Sequence, residues 1–562
     1  MTELPEEQPV EPKVREIGVG KELLLVGSLV LVAVAVRAYI VCVTHCVSSD
    51  TVGYLTLAQY LREGEFGWFF ANVQHHLYPV LLFGVQEVFG ASLLAAEAFS
   101  IALGSLAVVP FYLLARNVFG MKAAAASSFF FAFHVILART CATVCIEPLY
   151  LFTFLFSLYA GKRAIDVGRP FLFAITGFLL GLTFMARPEG LGLWVLLGGW
   201  VLLIGALKVM GHLILRREYD PSGGRLLAGF VLMVAVTCIT TSPHFLAARL
   251  VDGKWRLTRK HAMWQIMRGE PVYSPSRKAP SEVATPEGRV RYALKCLDEL
   301  ADESLWAYHL PSTLPLFYLL GVFCRRSRPR DTLGELILAS VVIAYPVAVL
   351  QFMRVHHYLT ERHLISSAVL VLMWAGAGFW ATSELIARLL ARCDKLERAP
   401  ARITVALLML LTLGTMSVKT LRHMRSQRAN LPELGAQIRG QFPPRKDRAT
   451  RIASFVLPRV VFYAGGQQLR ADRYIHRLTH GPEKAYESFM QRAPADEPDL
   501  LLLQLGEKAG PRDVEIYEAL KRKNVEPDQT LDYEDGNGTW RLLIYRFDKL
   551  PPPGTKTGAK EE

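Results

Sequence analysis

The chain has no Cys-x-x-Cys pattern and only eight cysteines among its 562 residues. The usual structural zinc sites need such closely spaced thiols, so the sequence gives no support for one. Two pairs, Cys42 with Cys46 and Cys141 with Cys145, have the i, i+4 spacing of one helix face. Their apolar surroundings favour small buried residues, while a disulfide or a metal pair stays open as an alternative.

The N-terminus is also not predicted to be a cleavable signal peptide. The first 21 residues begin with several acidic side chains, and the apolar run after them is too long and has no clear small-residue cleavage site. We therefore expect residues 1–21 to be a cytoplasmic segment that precedes a first membrane span.

Apolar residues are abundant, at 52% of the sequence with a mean hydropathy of +0.26. They form blocks that match the roughly 20 residues a helix needs to cross a bilayer. The sequence predicts a polytopic α-helical membrane protein with about eleven spans (ten to thirteen), at residues 22–43, 92–115, 122–138, 148–161, 171–186, 190–207, 226–246, 311–324, 333–352, 364–387 and 403–419. The shorter apolar piece 77–90 is predicted to be an interfacial or re-entrant helix.

The net charge of +13 is divided among short basic loops that alternate along the chain. Residues 325–330 and 388–402 are two of these clusters, and placing all of them in the cytoplasm satisfies the positive-inside rule. This topology puts the N-terminus inside and the C-terminus outside. Because the positive charges lie in the short loops between spans, their distribution argues against a nucleic-acid partner.

The chain changes character after residue 419. Strand-type runs at 451–457, 499–505 and 539–547 alternate with helical patterns, which predicts a small extracytoplasmic α/β domain at 420–550. It would follow a transmembrane domain at 22–419 with extracytoplasmic loops 44–91, 247–310 and 353–363. Residues 535–539 are typical of a hairpin turn, and 551–562 are predicted to be disordered.

Ionisable side chains converge on one membrane face under this topology. Asp50 follows the first span directly, and an ionisable group at membrane depth is a functional candidate by default. The other members that we weigh as site residues are His75, His76, Glu147, Arg187, Glu189, Lys260, Arg354, His357 and Arg362. Carboxylates among cations at a lipid–water boundary suit transfer chemistry on a lipid-linked phosphate. Cations stabilise the leaving phosphate, and a carboxylate takes the proton of an attacking hydroxyl.

Each candidate also has a plainer interpretation. Arg187 is placed to reach lipid headgroups, Glu189 to pair with Arg187, and Asp50 to cap the helix that begins at Thr51. The basic stretch 249–268 suits anionic headgroups. Paired histidines are potential metal ligands, but neighbours on one helix point apart, so a divalent metal is left open and none is predicted.

Six motifs, in chain order, resemble those of the GT-C membrane glycosyltransferases, closest to the protein O-mannosyltransferase and aminoarabinose transferase group. They are Asp50-x-x-x-Tyr54-x-x-x-Ala58, HHLYPVLL (75–82), ARNVFG (115–120), GLTFMARPEGL (181–191), GKWRLTRK (253–260) and YLTERHLISSAVL (358–370). The second motif departs from the group in having one proline, Pro79, where two are usual. The first motif adds Tyr54 to the predicted binding residues.

The resemblance implies sugar transfer from a polyprenyl-phosphate donor on the extracytoplasmic face. Asp50 would be the general base, Glu147 a second catalytic carboxylate, and Lys260, Arg187 and Arg362 contacts to the lipid phosphate. The expected acceptor is an envelope lipid, glycan or protein, and the expected location a bacterial inner membrane. A hexosyl- or pentosyltransferase is favoured over a transporter or flippase of lipid-linked or charged solutes, because the sequence shows no repeated halves.

Overall fold

The structure is a computed structural model, and most of the chain is described in it. The described residues are 18–71, 75–215, 222–253, 255, 286–310, 312–323, 331–356, 359–391, 399–422, 424, 430–443, 450–455, 458–470, 482–496, 498–506, 509–535 and 538–552.

Helices dominate the described chain as far as Thr420. Those before residue 216 are α1 (Val19–Cys42), α2 (Ser49–Arg62), α3 (Phe66–Ala71), α4 (Leu77–Phe89), α5 (Leu93–Leu106), α6 (Val108–Phe119), α7 (Met121–Phe133), α8 (Val135–Cys141), α9 (Glu147–Val167), α10 (Pro170–Ala186) and α11 (Gly190–Leu215). Those after it are α12 (Ser222–Asp252), α13 (Pro286–Ala307), α14 (Leu314–Phe323), α15 (Thr332–His356), α16 (Ile365–Ala391) and α17 (Ala399–Thr420). A short 3-10 helix, Glu361–Leu364, leads into α16.

Six helical segments among the described residues are long and apolar enough to cross a membrane: Val19–Cys42, Leu93–Phe119, Gly190–Met210, Ser222–Leu250, Thr332–Met353 and Glu361–Leu390. The pair α7–α8, bent by 60°, makes a seventh if it counts as one span. Each of the eleven predicted spans coincides with described helix, but the total of eleven stays a prediction. The predicted span 122–138 is not one straight helix, because the chain leaves helical geometry at His134.

Close helix contacts in the apolar region depend on small residues around α16. A Cβ added at Gly321 of α14 would collide with the backbone of Trp374, and one at Gly378 would collide with the backbone of Phe317. Gly376 meets Ser127 of α7 in the same way. Small residues let membrane helices approach closely, where backbone packing replaces the hydrophobic effect as the source of stability. Helix α16 therefore packs closely against both α7 and α14.

A buried ion cluster joins three helices near the C-terminal end of α9. The ammonium of Lys162, whose side chain is 3% exposed, pairs with the carboxylates of Asp166 and Asp331. Asp331 also accepts from the backbone N–H of Gly334 at the start of α15, at 3.0 Å. Asn117 of α6 donates to Asp166 at 3.4 Å. The cluster fixes the ends of α6, α9 and α15 relative to one another.

The chain after residue 430 forms a five-stranded sheet with helices on both faces. Its strands are β1 (Arg451–Ser454), β2 (Gln467–Arg470), β3 (Leu500–Leu505), β4 (Gln529–Asp535) and β5 (Gly538–Arg546), in the order β2-β1-β3-β5-β4. Strands β2, β1 and β3 are parallel, whereas β5 is antiparallel to both β3 and β4. The helices are α18 (Leu431–Gln441), α19 (Pro458–Tyr463), α20 (Pro482–Arg492) and α21 (Pro511–Arg522).

Alternation along β3 and β5 supplies an apolar core to each face of this sheet. Leu501, Leu503 and Tyr545 pack with α20 and α21, while Leu500, Leu502 and Ile544 pack with α18 and α19. Successive residues of a strand point to opposite faces, so a sheet covered on both sides needs the continuous leucine run seen in β3.

Candidate functional site

Asp50 is held at the N-terminal end of α2. The side chain of Ser48 caps this helix by accepting from the backbone N–H of Thr51 at 2.9 Å. Ser48 is therefore the N-cap of this helix, a role that the sequence left open for Asp50. Asp50 instead lies in the first turn of the helix. A carboxylate is favoured there by the positive end of the helix dipole. Its side chain is 39% exposed, so a substrate can reach it.

Thr51 connects the start of α2 to the turn before α9. Its hydroxyl donates to the backbone carbonyl of Val144 at 3.2 Å. Glu147, the first residue of α9, lies just beyond that turn, and its side chain is 9% exposed. One side-chain hydrogen bond thus brings the helix of Asp50 beside a second, buried carboxylate.

Arg362 bridges these two carboxylates from the 3-10 helix before α16. Its Nη1 donates to Oδ2 of Asp50 at 2.6 Å and lies 3.8 Å from Oε1 of Glu147. The Arg362 side chain is 43% exposed. The Asp50–Arg362 pair is therefore the accessible part of the site, while Glu147 lies behind it.

Arg187 lies on the buried side of Glu147. Its Nη1 is 3.4 Å from Oε1 of Glu147, and its Nη2 donates to Oε1 of Glu189 at 2.9 Å. The guanidinium also lies over the ring of Tyr150, 5.3 Å from its centre. Burial alone would lower the pKa of Arg187, but the carboxylates of Glu189 and Glu147 outweigh it and raise that pKa above its usual value. Arg187 stays charged and clamped, with a side chain only 11% exposed.

The hydroxyl of Tyr345 supports this clamp from α15. It donates to the backbone carbonyl of Glu189 at 2.9 Å and lies 3.4 Å from the hydroxyl of Tyr150. Tyr150 in turn shares a 2.8 Å hydrogen bond with Ser366 of α16. These neutral groups fix the backbone and the ring around Arg187. Sequence reasoning missed them because tyrosines in apolar helices give no local sign of their partners.

The resulting arrangement is a row of five charged groups, Asp50, Arg362, Glu147, Arg187 and Glu189, contributed by four separate parts of the chain. Three are carboxylates and two are guanidinium groups. The row carries one excess negative charge if all five are ionised. The exposed guanidinium of Arg362 is nevertheless a group to which an anion can bind.

Of the remaining predicted site residues, the side chains of three are described and those of three are not. Tyr54 is buried in α2 with its ring edge-on to Tyr78, and burial, together with the Glu147 carboxylate, raises the pKa of its phenol well above the usual value. His75 stacks on His244 with ring centres 5.2 Å apart, and His76 contacts the ring of Phe69 at 4.8 Å. Lys260, His357 and the side chain of Arg354 lie outside the described residues.

Metal ligands are not grouped in the part of the chain that the structure describes. No three His, Cys, Asp or Glu side chains there are arranged to hold an ion. Of the two arginines in the row, Arg362 is the exposed one and is therefore the better placed to hold an anionic phosphate near Asp50.

Comparison with known proteins places this geometry in context. A family model described as dolichyl-phosphate-mannose-protein mannosyltransferase matches residues 77–215. No curated protein sequence matches the chain. Twenty-five solved chains are similar in structure.

Two of them illustrate the similarity. ArnT from Cupriavidus metallidurans, solved bound to undecaprenyl phosphate, is 13% identical with a TM-score of 0.56, over 94% of this chain and 98% of that one. The oligosaccharyltransferase AglB from Archaeoglobus fulgidus, solved with an inhibitory peptide and a dolichol-phosphate, is 12% identical with a TM-score of 0.51, over 94% and 75%. The predicted resemblance to GT-C glycosyltransferases is confirmed at the level of the fold.

Proposed function

We propose that this protein is a membrane glycosyltransferase that moves a sugar from a polyprenyl-phosphate donor to an acceptor hydroxyl. The observation that carries the proposal is the exposed pair of Asp50 and Arg362, which lies beside the buried side chains of Glu147 and Arg187. The fold shared with ArnT and AglB supports it, since both of those proteins were solved with a polyprenyl phosphate. One fold can carry unrelated activities, so the residues of the site must account for the chemistry.

Asp50 acts as the general base in the proposed reaction. Its carboxylate accepts the proton of the acceptor hydroxyl as the hydroxyl oxygen bonds to the anomeric carbon of the sugar. The bond between that carbon and the phosphate oxygen breaks at the same time, and the polyprenyl phosphate leaves with the electron pair. One displacement inverts the anomeric centre, as in inverting glycosidases, but a phosphate leaving group needs no protonating acid.

Arg362 changes partner during this cycle. Before the donor binds, it neutralises Asp50 across 2.6 Å. The donor's phosphodiester, with one negative charge and two non-bridging oxygens, can accept from the same guanidinium, and the phosphate that leaves gains further negative charge. Transfer of Arg362 to the phosphate releases Asp50 to accept a proton and stabilises the charge that develops on the leaving group. Donor binding thereby prepares the base.

Glu147 is better suited to holding the two arginines than to touching substrate. It was predicted as a second catalytic carboxylate, yet it is buried and lies between the guanidinium groups of Arg187 and Arg362. We assign it the role of a positioning residue. Arg187, predicted to contact the lipid phosphate, takes the same role because Glu147 and Glu189 already surround it.

The proposed setting is the extracytoplasmic face of a membrane, a bacterial inner membrane by the charge pattern of the loops. The N-terminus then lies in the cytoplasm, and the five-stranded unit lies outside. The acceptor is an envelope lipid, a glycan or a protein.

The direct test is mass spectrometry of envelope lipids, glycans and proteins from cells with and without the gene. We expect one sugar modification to disappear on deletion and to return with the wild-type gene. In parallel, native mass spectrometry of the purified protein with added undecaprenyl phosphate should show a one-to-one complex. If deletion of the gene stopped the transport of a solute and left the set of glycosylated products unchanged, the proposal would be refuted.

A further inference from the structure

The stretch 43–48 connects the first membrane helix to the helix that carries Asp50. It is short. The backbone N–H groups of Val43 and Thr44 donate back to the end of α1, and Thr44 also forms a bridge with Met424. Val47 and Ser48 are nevertheless buried, at 6% and 5% exposure. What this stretch contacts therefore decides where Asp50 is placed.

Its contacts come from the C-terminal part of the chain. The backbone N–H of Val47 donates to the phenolic oxygen of Tyr463 at 2.9 Å. The backbone N–H of His45 donates to the carbonyl of Met424 at 3.2 Å. Both acceptors lie after the last apolar helix, α17. The segment before Asp50 is thus held from outside the membrane domain.

Tyr463 is itself held in place by the sheet unit. It ends helix α19, which packs against α18, and a Cβ added at Gly435 of α18 would collide with its Cβ. Helix α19 also packs against α2. On the other side, Arg139 of α8 donates to the carbonyl of Arg422 at 2.9 Å, which anchors the chain between α17 and the sheet unit. The phenolic oxygen is therefore presented at a defined position.

We propose that Tyr463 is a positioning residue for Asp50, and that the C-terminal unit serves as a support for the active site. This inference rests on the proposed function of Asp50. A buried N–H that loses its acceptor must find another or remain unsatisfied at a substantial cost, so the 43–48 stretch moves when the phenolic oxygen is removed. Asp50 follows three residues after Val47, and a displacement of about 1 Å in a catalytic group can reduce a rate about a hundredfold.

The test compares two Tyr→Phe variants of the full-length protein. Tyr463→Phe removes the acceptor of the Val47 N–H. Tyr486→Phe is the matched control, because its hydroxyl donates within the same C-terminal unit, to the carbonyl of Pro551 at 2.7 Å, and does not reach the first loop. Each variant is placed in the deletion strain, and the initial rate of formation of the missing product is measured in its membranes.

We expect Tyr463→Phe to reduce that rate about tenfold to a hundredfold and Tyr486→Phe to leave it within twofold. Affinity for added undecaprenyl phosphate should be unchanged in both. Hydrogen exchange should become faster in peptides that cover residues 43–62 of Tyr463→Phe alone, which shows a local change rather than loss of the fold.

Three outcomes would overturn the inference: wild-type rates in Tyr463→Phe, equal losses in both variants, or unchanged exchange at 43–62. Hydrogen exchange needs no substrate, so its result stands apart from the proposed function. If Asp50→Asn is fully active, the proposed function fails. If Asp50→Asn is inactive and Tyr463→Phe is normal, this inference fails alone.

Discussion

Arg362 donates to Asp50 across 2.6 Å although the two residues are 312 positions apart in the chain. Asp50 comes from the helix after the first apolar segment, and Arg362 from the short 3-10 helix before α16. The pair is the most exposed contact in a row of charges in which Glu147 and Arg187 are buried. In the proposed reaction, this pair is the point at which the donor phosphate and the acceptor hydroxyl meet the protein.

Asp50→Asn is predicted to abolish transfer. The amide keeps the shape of the side chain but cannot accept the acceptor's proton, and loss of a general base typically reduces a rate about 10²–10⁴-fold. Product formation is measured in membranes of the deletion strain. The amount of membrane-inserted protein and its melting temperature should match the wild type, since the carboxylate is 39% exposed. Rates within threefold of wild type at equal expression would show that Asp50 is not the base.

Arg362→Gln is predicted to weaken phosphate binding. The variant removes the exposed guanidinium that neutralises Asp50, so the titration of undecaprenyl phosphate into the purified protein should show at least tenfold lower affinity. Arg62→Gln is the control, because Arg62 pairs with Glu87 at a comparable exposure of 33%. Equal affinity in Arg362→Gln and Arg62→Gln would assign the phosphate to other cations.

Arg187→Gln is predicted to destabilise the protein rather than to affect phosphate affinity alone. Its guanidinium is buried, and without it Glu147 and Glu189 lose their common partner. Breaking a buried ion pair by removing one member typically costs about 3–5 kcal/mol. The melting temperature of the purified protein should therefore fall clearly, whereas Arg362→Gln leaves it nearly unchanged. The reverse order of the two melting temperatures would contradict the division into a buried clamp and an exposed pair.

Lys162→Met is predicted to destabilise the end of the bundle remote from Asp50. The ammonium of Lys162 is buried between Asp166 and Asp331, and its removal leaves two carboxylates to repel each other, at a cost of about 3–5 kcal/mol. Adding Asp331→Asn should recover part of the lost melting temperature, because one unpaired charge disappears. Arg541→Gln, which breaks an exposed pair with Asp532, should have no measurable effect. If Asp331→Asn recovered none of the melting temperature lost in Lys162→Met, the described ion cluster would be refuted.

Asp513 is predicted to make the C-terminal unit less stable as the pH rises. Burial raises the pKa of this carboxyl from 3.8 to about 7, although the backbone N–H of Gln504 donates to it at 3.0 Å. Between about pH 4 and pH 7 the folded unit holds a proton that the unfolded chain has lost. Stability therefore falls across that window, by at most about 1.4 kcal/mol per pH unit, and stays low above pH 7.

The measurement is hydrogen exchange of peptides covering residues 500–522, corrected for the intrinsic effect of pH. Protection should be greater at pH 5 than at pH 8 in the wild type. Asp513→Asn is uncharged throughout and should show little difference between the two values. A wild-type protection that rises with pH would give the opposite sign and disprove the assignment.

Much of the helical layout follows from the sequence because apolar blocks of spanning length have few alternatives in a membrane. The predicted turn at 535–539 also lies where β4 and β5 are joined. The break at His134 was not predicted, since neither proline nor glycine marks it. Strand β2 was missed because its residues are largely polar. Strand β4 was missed although Leu531 and Tyr533 alternate with Asp532 and Glu534, because acidic residues are rare in strands.

The site shows the same division between local and distant information. Motif order and topology indicated that Asp50, Arg187 and Arg362 belong to one face. Which arginine is exposed and which is clamped depends on Glu147, which lies 40 positions from Arg187 in the chain. No local pattern encodes that pairing. The capping of α2 by Ser48 could have been predicted from the local sequence, because a serine just before the first turn of a helix is a common N-cap.

The distance of 312 positions between Asp50 and Arg362 has a consequence for biosynthesis. During translation the helix that carries Asp50 is made long before the arginine that neutralises it. The contact between the two side chains can form only after the chain through Arg362 has been made. A chain that ends before residue 362 therefore lacks the exposed pair altogether.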